Sequence, residues 1–244
     1  MSGKSLGVLG GMGPKATAVF FDRIVEHTEA GKDQDHIDMV IVNHATLPDR
    51  TTVIAKQRGE VFLEAIRKDI RLLELAGVGN IAIPCNTSHY FFEQLQGMTK
   101  INIINMAKET ASEIRRVYGP GAKVGILATT GTIKSGVYQN VCEEFALTPH
   151  IPDELVQQKV MKIIYDDVKS GVNADAAAFA AIIRELVERA RCACVIIACT
   201  ELSCIKLRDD ISKYCVDAMD VLVRRSIELS GKKVKKTDGK EGCR

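Results

Sequence analysis

The chain carries the same pattern twice. Leu6-Gly7-Val8-Leu9-Gly10-Gly11-Met12-Gly13 is similar to Val124-Gly125-Ile126-Leu127-Ala128-Thr129-Thr130-Gly131, at an offset of 118. Ile81-Ala82-Ile83-Pro84-Cys85-Asn86-Thr87 is similar to Val195-Ile196-Ile197-Ala198-Cys199-Thr200-Glu201, at an offset of 114. Two nearly equal offsets within 244 residues predict two related halves. Each half places a short apolar run before a Gly/Thr turn, and a second run before a cysteine. Short apolar runs alternating with helical periodicity indicate parallel sheets covered on both faces. The expected fold class is therefore α/β: two similar domains, each a parallel-type sheet flanked by helices, related by internal pseudo-symmetry. In such sheets ligands sit outside the carboxyl ends of the strands. The active site is expected in the cleft between the domains, where facing halves would bring Cys85 and Cys199 together.

The pass along the chain predicts strands at Leu6–Gly10, Ile37–Asn43, Asn80–Pro84, Ile101–Ile104, Lys123–Ala128 and Cys194–Ala198. Helices are expected from Pro14 to about Ala30, Val53 to Ala76, Ala107 to Tyr118, Asp153 to Ser170, Asn173 to Arg191 and Val216 to Ser230. Pro14 suits a first helical turn, where a missing N–H costs little; Gly31 and Gly77 suit helix ends. The expected division is residues 1–98 plus a returning segment 209–231, a second domain at 99–208, and a disordered basic tail at 232–244.

Composition narrows the function classes. Thirty-three Lys and Arg against 31 Asp and Glu give +2, which argues against a broad nucleic-acid or anionic-membrane face. The longest wholly apolar run, Ala176–Ile183, is far too short to span a bilayer. The glycine-rich start lacks a signal-peptide core, and eight cysteines without one indicate free thiols and a cytoplasmic location. The run Lys232–Lys236 reads as a solvated tail.

Two motifs compete for chemistry. Gly11-Met12-Gly13-Pro14-Lys15-Ala16 fits the dinucleotide fingerprint G-x-G-x-x-A, but the second strand ends in Asn43-His44, without the acidic residue a ribose needs. The alternatives are a tight strand-to-helix turn, or a loop whose N–H groups receive a small carboxylate. Cys142, Cys192, Cys194, Cys204 and Cys215 read as small core residues. Cys192, Cys194 and Cys199 match no zinc spacing, and the C-terminal half has one histidine, His150, so no metal is expected. Cys85 and Cys199 stand apart because they occupy equivalent repeat positions at strand ends. Two thiols facing one cleft suit proton removal from one face of a carbon and return to the other, by groups poised near the operating pH. A binding protein that keeps the cleft without catalysis is the remaining alternative.

The motifs Gly10-Gly11-Met12-Gly13-Pro14, Pro48-Asp49-Arg50-Thr51, Pro84-Cys85-Asn86-Thr87-Ser88-His89, Leu127-Ala128-Thr129-Thr130-Gly131-Thr132, Tyr165 to Gly171, Cys199-Thr200-Glu201 and Asp217-Ala218-Met219-Asp220 resemble, in this order, the aspartate/glutamate racemase superfamily and its aspartate racemase branch. The resemblance spans roughly residues 5–230. It implies cofactor-independent racemisation of an acidic amino acid by a homodimer, without pyridoxal phosphate. Glutamate or hydantoin-type substrates remain alternatives, although Arg50 and Lys169 favour a dicarboxylate. Carried over, Cys85 and Cys199 are the acid–base thiols. Asn86, Thr87 and Ser88 hold the α-carboxylate, with Met12 and Gly13 lining that end. Thr129, Thr130 and Thr132 do the equivalent from the second half, and Thr200 is a further substrate-binding candidate. Arg50 and Lys169 pair for the distal carboxylate, a fork and a point charge. Glu201 either tunes Cys199 or is a helix-start carboxylate, and His89 divides evenly between a site role and a structural one. His27, His36, His44 and His150 read as structural or exposed. Ala198 stands where the family often has Gly, which bears on fine substrate geometry.

Overall fold

The computed structural model describes residues 4–236. They form two four-stranded parallel sheets. The first contains β1 (Leu6–Gly10), β2 (Met39–Asn43), β3 (Asn80–Ala82) and β4 (Asn102–Ile103), in the order β2-β1-β3-β4. The second contains β5 (Lys123–Ala128), β6 (Thr148–His150), β7 (Cys194–Ala198) and β8 (Cys215–Asp217), in the order β6-β5-β7-β8. The two orders are the same when β1 is matched to β5 and β3 to β7, as the repeat demands. β1, β3 and β7 are buried at every residue, which explains their predominantly apolar sequences, Asn80 at the start of β3 excepted.

The helices are α1 (Pro14–His27), α2 (Arg50–Ala55), α3 (Gly59–Leu75), α4 (Phe92–Gln96), α5 (Met106–Tyr118), α6 (Thr130–Lys134), α7 (Val137–Glu144), α8 (Glu154–Lys162), α9 (Ala176–Glu188), α10 (Asp209–Ser212) and α11 (Ala218–Leu229). Periodicity read Val53–Ala76 as one helix; the chain instead breaks between α2 and α3. Gln57 adopts φ 53° and the Arg58 N–H donates back to the Val53 carbonyl at 2.8 Å. Gly59 follows because a Cβ there would lie 2.5 Å from the Phe91 ring. The break frees α2 to carry Arg50 at its first turn. The expected helix Asp153–Ser170 is α8 followed by a π-helical turn at Ile163–Val168, a form often found at functional sites. α1 ends at His27 rather than Ala30, because Thr28 bridges to Val234 as an isolated β-pair.

Each sheet also takes one strand from across the expected domain boundary. β4 pairs with β3, although 99–208 was assigned to the second half. β8 pairs with β7, although 209–231 was assigned to the first. The closing helix starts at Ala218, after β8, with Asp217 capping it through the Met219 N–H at 2.9 Å. α11 packs on α1 and α5 and touches strands of both sheets. One core accordingly joins Leu6 and Val8 of β1 to Val124 and Ile126 of β5, with Leu222 and Ile227 of α11. The first residues of the expected tail are held: Glu29 N–H donates to the Lys233 carbonyl at 2.8 Å and Lys235 N–H to the His27 carbonyl at 2.7 Å. The remainder, from residue 237, lies outside the described residues.

Arg23 ties α1 to the start of α11. Its Nη1 reaches Asp217 at 2.8 Å and Asp220 at 2.7 Å, and its Nη2 donates to the Ser203 carbonyl. Burial and the neighbouring Asp217 carboxylate push Asp220 up to about 6, against the pull of Arg23 and Arg224. A carboxyl raised in the fold costs stability in full above its folded pKa, and the cost shrinks as pH falls from that value to the unfolded one. Asp220→Asn is therefore expected to raise the thermal midpoint relative to wild type at pH 8. The gain should begin to shrink below about pH 6 and approach zero only near pH 4, the unfolded carboxylate's range, in differential scanning calorimetry.

Candidate active site

The thiols follow the two central strands. Cys85 lies three residues past β3 and Cys199 directly after β7, so each leaves the carboxyl end of its sheet. Both line one cleft, together with Met12, Arg50, Asn86, Thr87, Thr129, Lys169, Thr200 and Glu201 from the expected set. The cleft also takes Asp49, Thr51 and Tyr165, which carried no assigned role. Gly13, Ser88, Thr130 and Thr132 are not on its wall. Ser88 is wholly buried and donates to the Met12 sulfur at 3.2 Å. Thr132 sits one layer behind. Its hydroxyl meets those of Thr87 at 2.9 Å and Thr129 at 3.1 Å, and Thr87 meets Thr129 at 3.0 Å. This triangle of hydroxyls joins the two halves at the cleft floor. Thr130 faces a neighbouring groove, with its N–H on the Met161 sulfur at 3.2 Å. Gly13 backs Glu201: a Cβ on it would lie 3.4 Å from Oε1.

Two glycines show why the motifs read as they do. Gly11 has φ +90° and a Cβ on it would lie 2.3 Å from the His44 backbone. The first glycine turn therefore lies against the end of β2, the side a dinucleotide ribose would use. Gly131 allows α6 to meet α2 across the halves, since its Cβ would lie 2.8 Å from the Thr51 Cα. That close approach brings the Arg50 helix to the second domain.

Charge is distributed unequally around the thiols. The Cys199 thiol donates to Glu201 Oε2 at 3.0 Å, while Glu201 Oε1 faces Lys169 Nζ at 3.4 Å. Burial first, then the Glu201 charge and its hydrogen bond, push Cys199 well above the usual thiol range. Burial alone would lower Lys169, but Glu201, Tyr165 and the two thiols outweigh it and raise it. Lys169 Nζ also lies 4.9 Å above the Tyr165 ring, the π-helical turn having stacked the two residues. Among the described residues no carboxylate is hydrogen-bonded to the Cys85 sulfur. Glu201→Gln is expected to bring the Cys199 thiol down, raising its thiolate fraction near pH 8 about tenfold per unit of fall and its alkylation rate by roughly threefold, since a weaker base is a weaker nucleophile. Cys85 alkylation, followed in the same mass-spectrometric digest, serves as the reference.

Arg50 is buried, with 6% exposure. Its Nη1 donates to the carbonyls of Pro48 at 2.8 Å and Leu47 at 3.3 Å, and its Nε has no partner. Among the described residues it makes no ion pair. Asn86 is similar: its Oδ1 accepts from the Tyr138 hydroxyl, and its Nδ2 is buried without a partner. The two orphaned donors sit on the cleft wall. Buried unpaired donors are costly, and a ligand with two carboxylates could satisfy one with each. His89 is structural. Its Nδ1 donates to the Cys85 carbonyl at 2.9 Å, its Nε2 accepts the Met106 N–H at 3.1 Å, and burial lowers its pKa and keeps it neutral. His44 pairs with buried Asp69 at 2.6 Å behind the glycine turn. Cys142, Cys192 and Cys194 are core residues, and Cys204 and Cys215 are half-buried. No group of His, Cys, Asp and Glu that could hold a metal occurs among the described residues, and no helix there is long and apolar enough to cross a membrane.

Two like α/β domains sharing a cleft, with a thiol from each, define the class. The chain belongs to the Asp/Glu/Hydantoin racemase family, whose pattern matches residues 9–225. It is 32% identical over 142 residues to the broad-specificity amino-acid racemase RacX of Bacillus subtilis, covering 56% of this chain and 59% of that one. The match thus spans about three-fifths of that relative's length. Among solved structures, an aspartate racemase from Picrophilus torridus aligns with TM-score 0.80 and 30% identity, over 96% of this chain and 97% of that one. An aspartate racemase homologue from Pyrococcus horikoshii aligns with TM-score 0.77 at 23% identity, over 93% and 99% of the two chains. At that identity it speaks for the fold.

Proposed function

We propose that this racemase acts on a free acidic amino acid, aspartate first, by passing a proton between Cys85 and Cys199 without a cofactor. The observation that carries the reading is the two thiols at repeat-equivalent strand ends on one cleft. One thiolate removes the α-proton, and the electron pair moves into the α-carboxylate. The opposite thiol then gives its proton to the other face of the carbon. The product is the mirror image, and the enzyme is left with its thiol and thiolate exchanged. Asn86 Nδ2 and the hydroxyls of Thr87, Thr129 and Thr200 surround the place for the α-carboxylate, where donors that strengthen as charge accumulates favour the transition state. Arg50 supplies the fork for the distal carboxylate. Lys169, already shared with Glu201, adds a point charge beside it. The reading includes a cytoplasmic homodimer, which sedimentation would check for assembly.

The test is proton NMR of L-aspartate with the purified protein in D2O, with no cofactor added, followed by chiral chromatography. The expected result is loss of the α-proton signal with appearance of D-aspartate. An α-proton that persists with both aspartate and glutamate overturns the acidic-substrate reading. It shifts weight to a hydantoin-type substrate or to binding without catalysis.

A further inference from the structure

The thiols cannot be reached as the two halves stand. Cys85 is 5% and Cys199 4% exposed, and about 10 Å³ of free space lies between the walls, room for a single water. An amino acid enters only if the halves part. At the buried floor they are joined by the Thr87–Thr129–Thr132 hydroxyls. The Tyr138 hydroxyl bonds Asn86 Oδ1 across the halves as well. Nearer solvent, the Tyr165 hydroxyl donates to Asp49 Oδ2 at 3.1 Å and is also hydrogen-bonded to the Thr51 side chain. Tyr165 is also a shared wall. Its other side lines a solvent-open groove of about 630 Å³, with Thr130, Lys134, Gln157 and Met161. The tyrosine ring, with its hydroxyl bonded to Asp49 and Thr51, stands between that groove and the cleft.

We propose that the Asp49–Tyr165 hydrogen bond is the closing contact of the cleft and that both are positioning residues for the two cations. The inference rests on the racemase reading for its substrate but not for its geometry. Asp49 precedes Arg50 and caps α2, its Oδ1 accepting from the Thr52 N–H at 2.9 Å and the Thr52 hydroxyl at 2.8 Å. Tyr165 lies under Lys169. Beside the close approach of α2 to α6 at Gly131, the bond therefore fastens the Arg50 helix to the Lys169 turn, one from each half. Breaking it separates the two cations and opens the way from the groove, past Lys134, to the thiols. Closing it presses both cations onto whatever carboxylate lies between them.

The test uses the full chain and two readouts. Tyr165→Phe keeps the ring beneath Lys169 and removes only the hydroxyl. Iodoacetamide labelling of Cys85 and Cys199, mapped by mass spectrometry, is expected to rise about three- to tenfold, the equilibrium shift of one lost hydrogen bond. Buried Cys142 should label as slowly as in wild type; faster Cys142 labelling in step with the cleft thiols would mean general loosening and overturn the proposal. KM for aspartate should rise by a similar factor while kcat holds or increases. In the double variant Tyr165→Phe/Asp49→Ala, labelling should not exceed that of the more affected single variant, because the pair is one contact. Additive effects, or unchanged labelling in Tyr165→Phe, overturn the proposal, as does a fall in kcat alone, which would make Tyr165 a catalytic residue. If no amino acid is turned over, the labelling arm still decides, and the failure lies with the substrate reading instead.

Discussion

With Cys199 replaced by alanine, racemisation is expected to fall by about 10²–10⁴-fold, the usual contribution of a positioned acid–base group. One partial reaction should survive. Cys85 can still remove the α-proton from the face it sees and return a deuteron from D2O to that same face. One enantiomer will then lose its α-proton signal without inverting, and the other will be inert. Cys85→Ala should show the complementary pattern. Each enantiomer, incubated separately with each variant and followed by proton NMR and chiral chromatography, checks this. Either variant racemising at the wild-type rate, or both exchanging the same enantiomer, rules out two bases on opposite faces. The substitutions remove one buried sulfur atom each, so the fold should persist.

Arg50→Met should separate function from stability. The guanidinium is buried, lacks an anionic partner among the described residues, and has an unpaired Nε. Truncating one side of a buried charge–carboxylate contact typically costs 2–5 kcal/mol or more, so KM for aspartate is expected to rise by roughly 10²-fold. Stability should change little. The lost bonds to Pro48 and Leu47, and the lost attraction to Asp49, are offset by removal of a buried charge that makes no ion pair among the described residues, leaving unfolding within about 1 kcal/mol of wild type. Steady-state kinetics and urea unfolding provide the two numbers. A large stability loss with an unchanged KM would make Arg50 a structural residue. Lys169→Met should raise KM less, because Lys169 is a quarter exposed and already shared with Glu201.

The parts of this molecule legible in the sequence are those in which one strong local signal repeats. β1, β5 and β7 are continuous apolar runs, and the two cysteines sit at matching distances along their halves. The features that the sequence does not reveal are either too short or too distant. β6 is three residues including Pro149, tolerable because β6 is an edge strand, and it has no apolar alternation to reveal it. β8 merged with α11 because Cys215-Val216 continues the helix's apolar content. The break at Gln57 depends on one positive φ in a residue that does not announce it. Asp49 and Tyr165 were both visible inside motifs, but the bond between them spans 116 positions. The Tyr138 bond to Asn86 spans 52, and no periodicity encodes either. Ser88, Thr130 and Thr132 resemble site residues by neighbourhood, yet their hydroxyls or backbone are spent on packing behind or beside the cleft.

The near-twofold relation of the halves breaks at one position with consequences for turnover. Glu201, bonded to Cys199, occupies the place that Thr87 holds after Cys85 at the 114-residue offset. The two thiols thus work in different surroundings, while the two substrates of a racemase are mirror images of equal free energy in water. With an equilibrium constant of one, kcat/KM must be the same in both directions whatever the site looks like. An acidic side chain beside one thiol can therefore change that ratio only for both directions together, and otherwise shifts how each direction divides it between saturation and turnover. The enantiomer that binds more tightly must turn over more slowly, by the same factor.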